Sequence, residues 1–382
     1  MKIKMLISSL FMLHAAAGYA FDNYDQTFNQ MRHRYSLGHY KRMLAIAPVA
    51  LKFSTTPEQK YNVLYYKALA FHELQYFWQA EQTFAEAARL EGINEKQKLQ
   101  AVYNQIRSQY ANKHFISALA NAEKYSAFSG KPSALQLSIL LVGIETARQL
   151  ERNMKALELA EKMEKATDPD SAWHYRGIIM QIQILCLTKE YEKAEKIISK
   201  VDINKVPLPM QPEFLAWSGY CYEKDNKPGI AAEKYSLAYA DSTSYYAGLA
   251  ALRHANMRSR AGEKDYEKTA SIYEKVMQIS GAHPDHKSQA VYKVARLYEQ
   301  RRKPDIAEHL LAQIEKVDSP SVYWLAKIYN LRGDILYKKG DIDQARKYFK
   351  LCVNLSPQQP DTNYAKEILA QIGEKTVLPE KK

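Results

Sequence analysis

The stretch YNLRGDILYKKGDIDQARKYFKLCVNLSP, residues 329–357, decides the fold of this chain. Its small and apolar residues recur mostly at intervals of three and four, which places them on one face of a helix. Gly340 and Asp341 interrupt the pattern, because a glycine suits the left-handed end of one helix and an aspartate suits the start of the next. Gly333 and Ala345 put a small side chain on each helix where the other must approach closely. The stretch therefore predicts a helix, a tight turn and a second helix.

The small residue of the second helix, Ala345, recurs through most of the chain. Its intervals are 38 residues, with one exception of 37. A core position follows each occurrence by four residues, and the start of a helix precedes it by three. Eight matches at nearly constant spacing predict eight consecutive helical pairs. The residues that mark this phase are Ala80, Ala118, Ala156, Ala194, Ala231, Thr269, Ala307 and Ala345.

The spacing of small and aromatic residues in residues 329–357 resembles the tetratricopeptide repeat (TPR). The resemblance implies an all-α fold, a TPR-like α-solenoid of antiparallel helix pairs that form a curved superhelix. The three repeats within residues 97–206 depart from the family pattern, because isoleucine replaces glycine in their first helices. The period exceeds the usual length of about 34 residues. In this it is similar to envelope TPR proteins of Gram-negative bacteria, such as the Tol-associated cell-division coordinator and the lipoprotein of the outer-membrane assembly machine.

These patterns divide the chain into segments. We expect a degenerate N-terminal repeat at residues 21–56 and eight TPR-like repeats at residues 57–360. A C-terminal capping helix is predicted at residues 361–374, because its apolar residues lie on one side and its other side is polar. The charged residues 375–382 are predicted to form a disordered tail.

Residues 1–20 have the composition of a secretory signal peptide. Lys2 and Lys4 precede a short apolar core, and Gly18 and Ala20 place small residues before a cleavage site after Ala20. The core is shorter than the roughly 20 residues that span a bilayer, which disfavours the alternative of a retained anchor. No later segment is long and apolar enough to span a membrane. We expect an exported protein, periplasmic if the source is Gram-negative and otherwise secreted.

The chain is basic, with 54 lysines and arginines against 42 acids and a net charge of +12. Such a surface suits nucleic acid, anionic lipid or an acidic polymer. An exported protein rarely meets nucleic acid, so no nucleic-acid partner is predicted. A generic basic surface without a specific partner is the alternative.

The three cysteines, Cys186, Cys221 and Cys352, have neither CxxC spacing nor paired histidines. Buried free thiols are the favoured interpretation, and a Cys186–Cys221 disulfide stays open. His283 and His286 are the nearest approach to a metal pair, but a solvated loop explains them better. The sequence contains no glycine-rich phosphate loop, HExxH or GxSxG motif. We therefore predict no enzyme activity, cofactor or metal.

The resemblance also implies a binding surface, because the first helices of TPR arrays face the concave side. In TPR arrays, side chains at certain positions of each repeat point into the concave surface. The corresponding positions of this chain hold aromatic and arginine residues, the residue types that recognition surfaces use. The alternative is that many of these tyrosines pack between helices. The Lys/Asn/Lys-type set of the TPR peptide clamps is not reproduced. The predicted groove residues are Tyr65, Tyr66, Tyr103, Arg107, Tyr110, Arg148, Trp217, Tyr220, His254, Arg258, Tyr292 and Arg296.

The leading functional hypothesis is a non-catalytic scaffold of the cell envelope that binds a peptide or protein partner in this groove. The alternative is a polysaccharide-binding or export-machinery protein, because arginines pair with the carboxylates of an acidic polysaccharide and aromatic rings stack on sugars. The oligomeric state and the identity of the partner stay open.

Overall fold

The computed structural model describes residues 23–128, 130–240, 243–262, 265–355 and 360–373. The predicted signal peptide and the predicted C-terminal tail lie outside these residues. Within them every regular element is a helix, with nineteen α-helices, three short 3-10 segments and no strand. The all-α prediction is confirmed.

The helices follow one another along the chain with short connections. The α-helices are α1 Tyr24–Ser36, α2 Tyr40–Phe53, α3 Pro57–Glu73, α4 Phe77–Ala88, α5 Glu95–Ala111, α6 Phe115–Tyr125, α7 Ala134–Gln149, α8 Asn153–Lys165, α9 Ala172–Leu187, α10 Tyr191–Ile198, α11 Gln211–Lys224, α12 Pro228–Tyr239, α13 Tyr245–Arg260, α14 Tyr266–Gln278, α15 Pro284–Glu299, α16 Pro304–Ala312, α17 Val322–Lys338, α18 Ile342–Leu355 and α19 Pro360–Gln371. The 3-10 segments are Ile203–Lys205, Leu208–Met210 and Gln313–Lys316. Odd-numbered helices are the first helices of their pairs, and even-numbered helices are the second.

A single turn device joins the two helices of most pairs. Gly340 has a φ of +86°, and the Asp341 side chain accepts a hydrogen bond from the Gln344 amide at 3.2 Å, as the sequence predicted. The Asp341 N–H returns to the Leu336 carbonyl at 3.0 Å, which satisfies an orphan carbonyl of the preceding helix. Gly38, with a φ of +70°, and Gly262, with a φ of +65°, occupy the same place in the pairs α1–α2 and α13–α14. The other six pairs build this turn from residues other than glycine. Their residues with φ between +58° and +65° are Gln75, Lys113, Glu151, Lys189, Asn226 and Arg302.

Three first helices in the N-terminal half begin with a capping box. Thr56, Asn94 and Ser133 each form a capping box with a glutamine three residues later. Helix α3 begins at Pro57, directly after Thr56, as predicted. These caps fix where each first helix begins and hence which side chains it presents.

The eight small residues that mark the predicted repeats are buried in the second helices, and seven of them are fully buried alanines. In six of the eight pairs the residue four positions later is large and buried, and in the other two it is the buried Ala122 or Ala160. The six large residues are Phe84, Ile198, Tyr235, Tyr273, Leu311 and Phe349. Gly219 faces the ring of Tyr235 and Gly333 faces the ring of Phe349, so each first helix is approached where it carries no side chain. The burial is that of a helix pair packed through one apolar face each.

The chain divides into two compact units between Ile184 and Leu185. We call them the N-unit and the C-unit and describe each by itself. In the C-unit, Cys186 and Cys221 are buried free thiols, so the structure contains no disulfide between them. The neighbouring Cys221 thiol, followed by burial, raises the pKa of the Cys186 thiol.

Candidate functional site

A cavity of about 540 Å³ opens on the first helices of the N-unit. Helices α3, α5 and α7 contribute its walls, and no second helix contributes to them. We call it the N-unit cavity. Its lining residues are His72, Arg107, Tyr110, Ala111, Leu141, Val142 and Glu145.

Two predicted residues, Arg107 and Tyr110, line the N-unit cavity. Arg107 is exposed, and its guanidinium lies 5.6 Å from the ring centre of the predicted Tyr103. The ring of Tyr110 packs edge-on against Phe115 at 5.3 Å. Arg107 therefore places a positive charge above an aromatic ring.

Arg148 forms an ion pair within its own helix. Its guanidinium donates to both carboxylate oxygens of Glu145 at 3.0 Å, and Glu145 is the residue that lines the cavity. His72 faces the same cavity with its Nδ1 atom 3.0 Å from the Ser108 hydroxyl. Burial, followed by the charge of Arg107, lowers the pKa of His72.

Tyr65 and Tyr66 pack between helices. The Tyr65 hydroxyl accepts hydrogen bonds from the side-chain amides of Gln100 and Asn104, at 3.0 and 2.9 Å. The Tyr66 ring makes edge contacts at 5.5 Å with Phe28 and with Tyr35. Both tyrosines tie successive first helices together, which is the packing alternative stated above.

A polar cavity of about 410 Å³ lies between the first helices α11, α13 and α15 of the C-unit. We call it the C-unit cavity. Four cationic side chains line it against one carboxylate. Its lining residues are Glu223, Lys224, Leu249, Leu252, Arg253, Asn256, Ser259, Arg260, His286, Gln289 and Lys293.

Glu223 is the buried centre of this cavity, with a side chain only 9% exposed. It accepts hydrogen bonds from the Tyr235 hydroxyl at 2.7 Å and from Arg260 at 2.6 Å, and an Arg253 nitrogen lies 3.9 Å away. Burial and the adjacent carboxylate raise the pKa of Tyr235, so the tyrosine stays a neutral donor. The Arg253 guanidinium also lies 4.4 Å from the ring centre of the predicted Tyr220. The carboxylate and the ring hold the arginine in place.

His254 is buried, in contrast to the prediction that it faces the groove. Its side chain is 4% exposed, and its Nδ1 atom lies 2.9 Å from the Tyr239 hydroxyl of the second helix α12. Burial, followed by the charges of Arg258 and Lys268, lowers the pKa of His254 to about 4.

Arg258, like His254, points towards a second helix, and it donates a hydrogen bond to the Thr269 hydroxyl of α14 at 3.4 Å. Neither His254 nor Arg258 lines the C-unit cavity. The residues of α13 that line it include Arg253, Asn256 and Arg260, which the transferred offsets missed. Their spacing of three and four residues was visible in the sequence as one polar helix face.

A third cavity, of about 380 Å³, lies on helices α15, α17 and α19. It contains the predicted Tyr292 and Arg296, together with Lys327, Asn330, Leu331, Asp334 and Tyr364. Arg296 donates to Glu299 at 3.2 Å, and the Tyr364 hydroxyl donates to Asp334 at 2.9 Å. The remaining predicted aromatic, Trp217, is half-buried and packs edge-on against Tyr220 at 5.5 Å.

No group of three or more histidine, cysteine, aspartate or glutamate side chains suited to a metal ion occurs within the described residues. The rings of His283 and His286 lie 5.7 Å apart and pack beside Tyr245. Burial lowers the pKa of His286 to about 4, so this histidine is neutral at pH 7.

In the described part of the chain, no helix combines the length and apolarity that crossing a bilayer requires.

Residues 214–371 match the model of the tetratricopeptide repeat-like domain. The chain is similar to the solved structure of a tetratricopeptide repeat protein from Parabacteroides merdae, with 16% identity and a TM-score of 0.40 over 82% of this chain and 98% of that one. It is also similar to the APC/C hetero-tetramer Cut9–Hcn1, with 12% identity and a TM-score of 0.33 over 93% of this chain and 86% of that one. No curated protein matches the sequence.

Proposed function

Because residues 214–371 match the model of the tetratricopeptide repeat-like domain, we propose that the chain is a non-catalytic scaffold that binds a protein or peptide partner. The partner binds to the first-helix face, by which we mean the surface of the odd-numbered helices. One observation carries this proposal: in both units, first helices line cavities with arginines beside aromatic rings, as in Arg107 over Tyr103 and Arg253 over Tyr220. Rigid aromatic area and forked guanidinium donors are what protein recognition surfaces use.

A capture experiment tests the choice of face. One variant replaces Arg107, Arg253 and Arg296 on first helices with glutamine. A matched control replaces exposed lysines of second helices with glutamine, so that the net charge changes equally. The control positions are Lys124, Lys196 and Lys268.

The partner captured by the unmodified protein from an envelope extract should be lost with the first-helix variant and retained with the control. Far-UV circular dichroism verifies that both variants keep their helicity. Capture that is retained by both variants, or lost by both, contradicts the assignment of the first-helix face.

We further propose that the scaffold works in the cell envelope after export. The basic start, the short apolar core, and the small residues Gly18 and Ala20 before the predicted cleavage site support this location. Expression in a Gram-negative host with a C-terminal tag should give a periplasmic protein whose N-terminal residue is Phe21. A cytoplasmic product that retains Met1 contradicts the export proposal.

A further inference from the structure

The turns within the helix pairs of the N-unit, together with the first residues of each second helix, form a row that we call the N-unit turn edge. Its segments are residues 37–42, 74–79, 112–117 and 150–155. Contacts between neighbouring pairs place these segments side by side. Leu74 packs against the apolar cluster of α1 and α2, His114 lies 2.9 Å from Glu81 of α4, and Lys155 lies 2.7 Å from Glu123 of α6.

Large apolar side chains of this edge extend into solvent. The second residues of α4, α6 and α8 are Trp78, Ile116 and Met154, which are 58%, 69% and 73% exposed. Leu37 and Tyr76 on the adjoining turns are exposed as well. In the C-unit the same position holds an acid in four of the five second helices, namely Glu192, Glu267, Asp305 and Asp343. Clustered exposed apolar side chains mark an interaction surface, whereas scattered ones do not.

The N-unit turn edge is also basic. Its four segments contain five lysines and arginines and a single acid, Glu151, whereas the five equivalent segments of the C-unit contain nine of each. Those segments are residues 188–193, 225–230, 263–268, 301–306 and 339–344. Four exposed cations of the N-unit turn edge form no ion pair within the described residues: Lys41, Arg42, Lys113 and Arg152. The edge therefore combines exposed apolar side chains with uncompensated positive charge.

An anionic lipid bilayer matches this combination. Proteins bind at a membrane surface by burying apolar side chains at the headgroup boundary while lysines and arginines are attracted to anionic lipids. Tryptophan and tyrosine are enriched at that boundary. A second copy of the chain would bring two basic edges together, and their charges would repel each other. The core of a protein interface is depleted in lysine and other charged residues, so a protein partner fits this edge less well.

We propose that the N-unit turn edge docks on the surface of an anionic lipid bilayer. Trp78, Ile116 and Met154 enter the headgroup region, and the four unpaired cations contact the anionic headgroups. None of the residues that line the N-unit cavity belongs to this edge. The inference therefore goes beyond the proposed function and does not depend on it.

A fluorescent probe on the full chain tests this contact. Met154→Cys and Lys165→Cys, at opposite ends of α8, are each labelled with the environment-sensitive fluorophore nitrobenzoxadiazole. The three native thiols are buried and should not react. Vesicles of phosphatidylcholine and phosphatidylglycerol should raise the emission from position 154 about twofold or more, because the fluorophore leaves water, and should leave position 165 unchanged. Vesicles of phosphatidylcholine alone should change neither.

A charge variant in the chain labelled at position 154 tests the role of the cations. Replacing Lys41, Lys113 and Arg152 with glutamine should raise the lipid concentration for half-maximal emission about tenfold or more, because each cation near an anionic surface adds to binding. A matched control replaces Lys124, Lys196 and Lys268, exposed on second helices, and should leave that concentration unchanged. Far-UV circular dichroism verifies that both variants are folded. The probe is local, so binding through residues 1–20 alone would leave position 154 in water.

Four results overturn the proposal. They are no rise at position 154 with phosphatidylglycerol vesicles, equal rises at positions 154 and 165, equal lipid dependence of the two charge variants, and a rise at position 154 that needs no vesicles and grows with protein concentration. The last result assigns the edge to a second copy of the chain.

Discussion

The contact between Gly219 and Tyr235 allows a sharp test of how the helix pairs pack. A Cβ atom added at Gly219 would lie 2.6 Å from two ring carbons of Tyr235. The ring cannot move away freely, because Tyr235 is fully buried and its hydroxyl donates to Glu223 at 2.7 Å. Gly219→Ala should therefore strain the pair formed by α11 and α12.

Two opposing contributions set the magnitude. Alanine favours a helix interior over glycine by up to about 1 kcal/mol. Overpacking a close contact costs about 1–3 kcal/mol. Because the tethered ring favours the upper part of that range, we expect Gly219→Ala to lower the free energy of unfolding by about 1–2 kcal/mol. For a unit of this size the melting temperature should fall by about 2–8 °C.

Gly229→Ala is the matched control, because a Cβ atom added at Gly229 has no atom within 4 Å. It lies in the first turn of α12 with an ordinary φ, so this substitution should stabilise by about 0.4–1 kcal/mol through the unfolded chain. Urea denaturation followed by circular dichroism measures both variants. If Gly219→Ala stabilised the protein as much as Gly229→Ala, the packing explanation would be refuted.

Three further predictions concern stability. Tyr235→Phe should lower the free energy of unfolding by about 1.5–3 kcal/mol, because Glu223 loses a buried hydrogen bond; an unchanged urea midpoint would contradict this. The pKa of His254 in the folded protein, about 4, lies below its value in the unfolded chain, about 6.5. The unfolded chain therefore binds a proton first as the pH falls, and the free energy of unfolding decreases by up to about 3 kcal/mol between about pH 6.5 and pH 4. His254→Gln should flatten this part of the stability profile, and an unaltered slope would argue against it. Met154 is 73% exposed in the first turn of α8, and Glu267 occupies the equivalent place in the first turn of α14. Because a carboxylate interacts favourably with the N-terminus of a helix, Met154→Glu should raise the free energy of unfolding by about 0.3–1 kcal/mol. A lower urea midpoint would show that Met154 is packed.

The helix pairs were predictable because their signals are local. Gly340 and Asp341 occupy a helix end and a helix start, and these roles depend only on their own backbone conformation and nearest amides. The buried small residues were equally visible, because close helix approach needs them wherever a pair forms. The same turn at Asn226 or Arg302 was not predictable from composition, since these residues adopt φ near +60° where glycine is absent.

The binding face was less predictable because it depends on how each helix is rotated about its axis. The repeat spacing along the chain predicts where a helix begins. An error of one residue in that position rotates the predicted direction of a side chain by about 100° around the helix axis. In α13 such a difference directs His254 and Arg258 towards second helices and leaves Arg253 and Asn256 in the cavity. For Tyr65, composition could not distinguish a recognition surface from a packed ring with a paired hydroxyl.

Site-specific photo-crosslinking in living cells tests most directly whether partners bind the first-helix face. A benzoylphenylalanine placed at Gln289, which lines the C-unit cavity, is compared with one at Ser271, exposed on the second helix α14. We expect a discrete adduct from position 289 and none from position 271. An adduct from position 271 alone, or equal adducts from both, would contradict it.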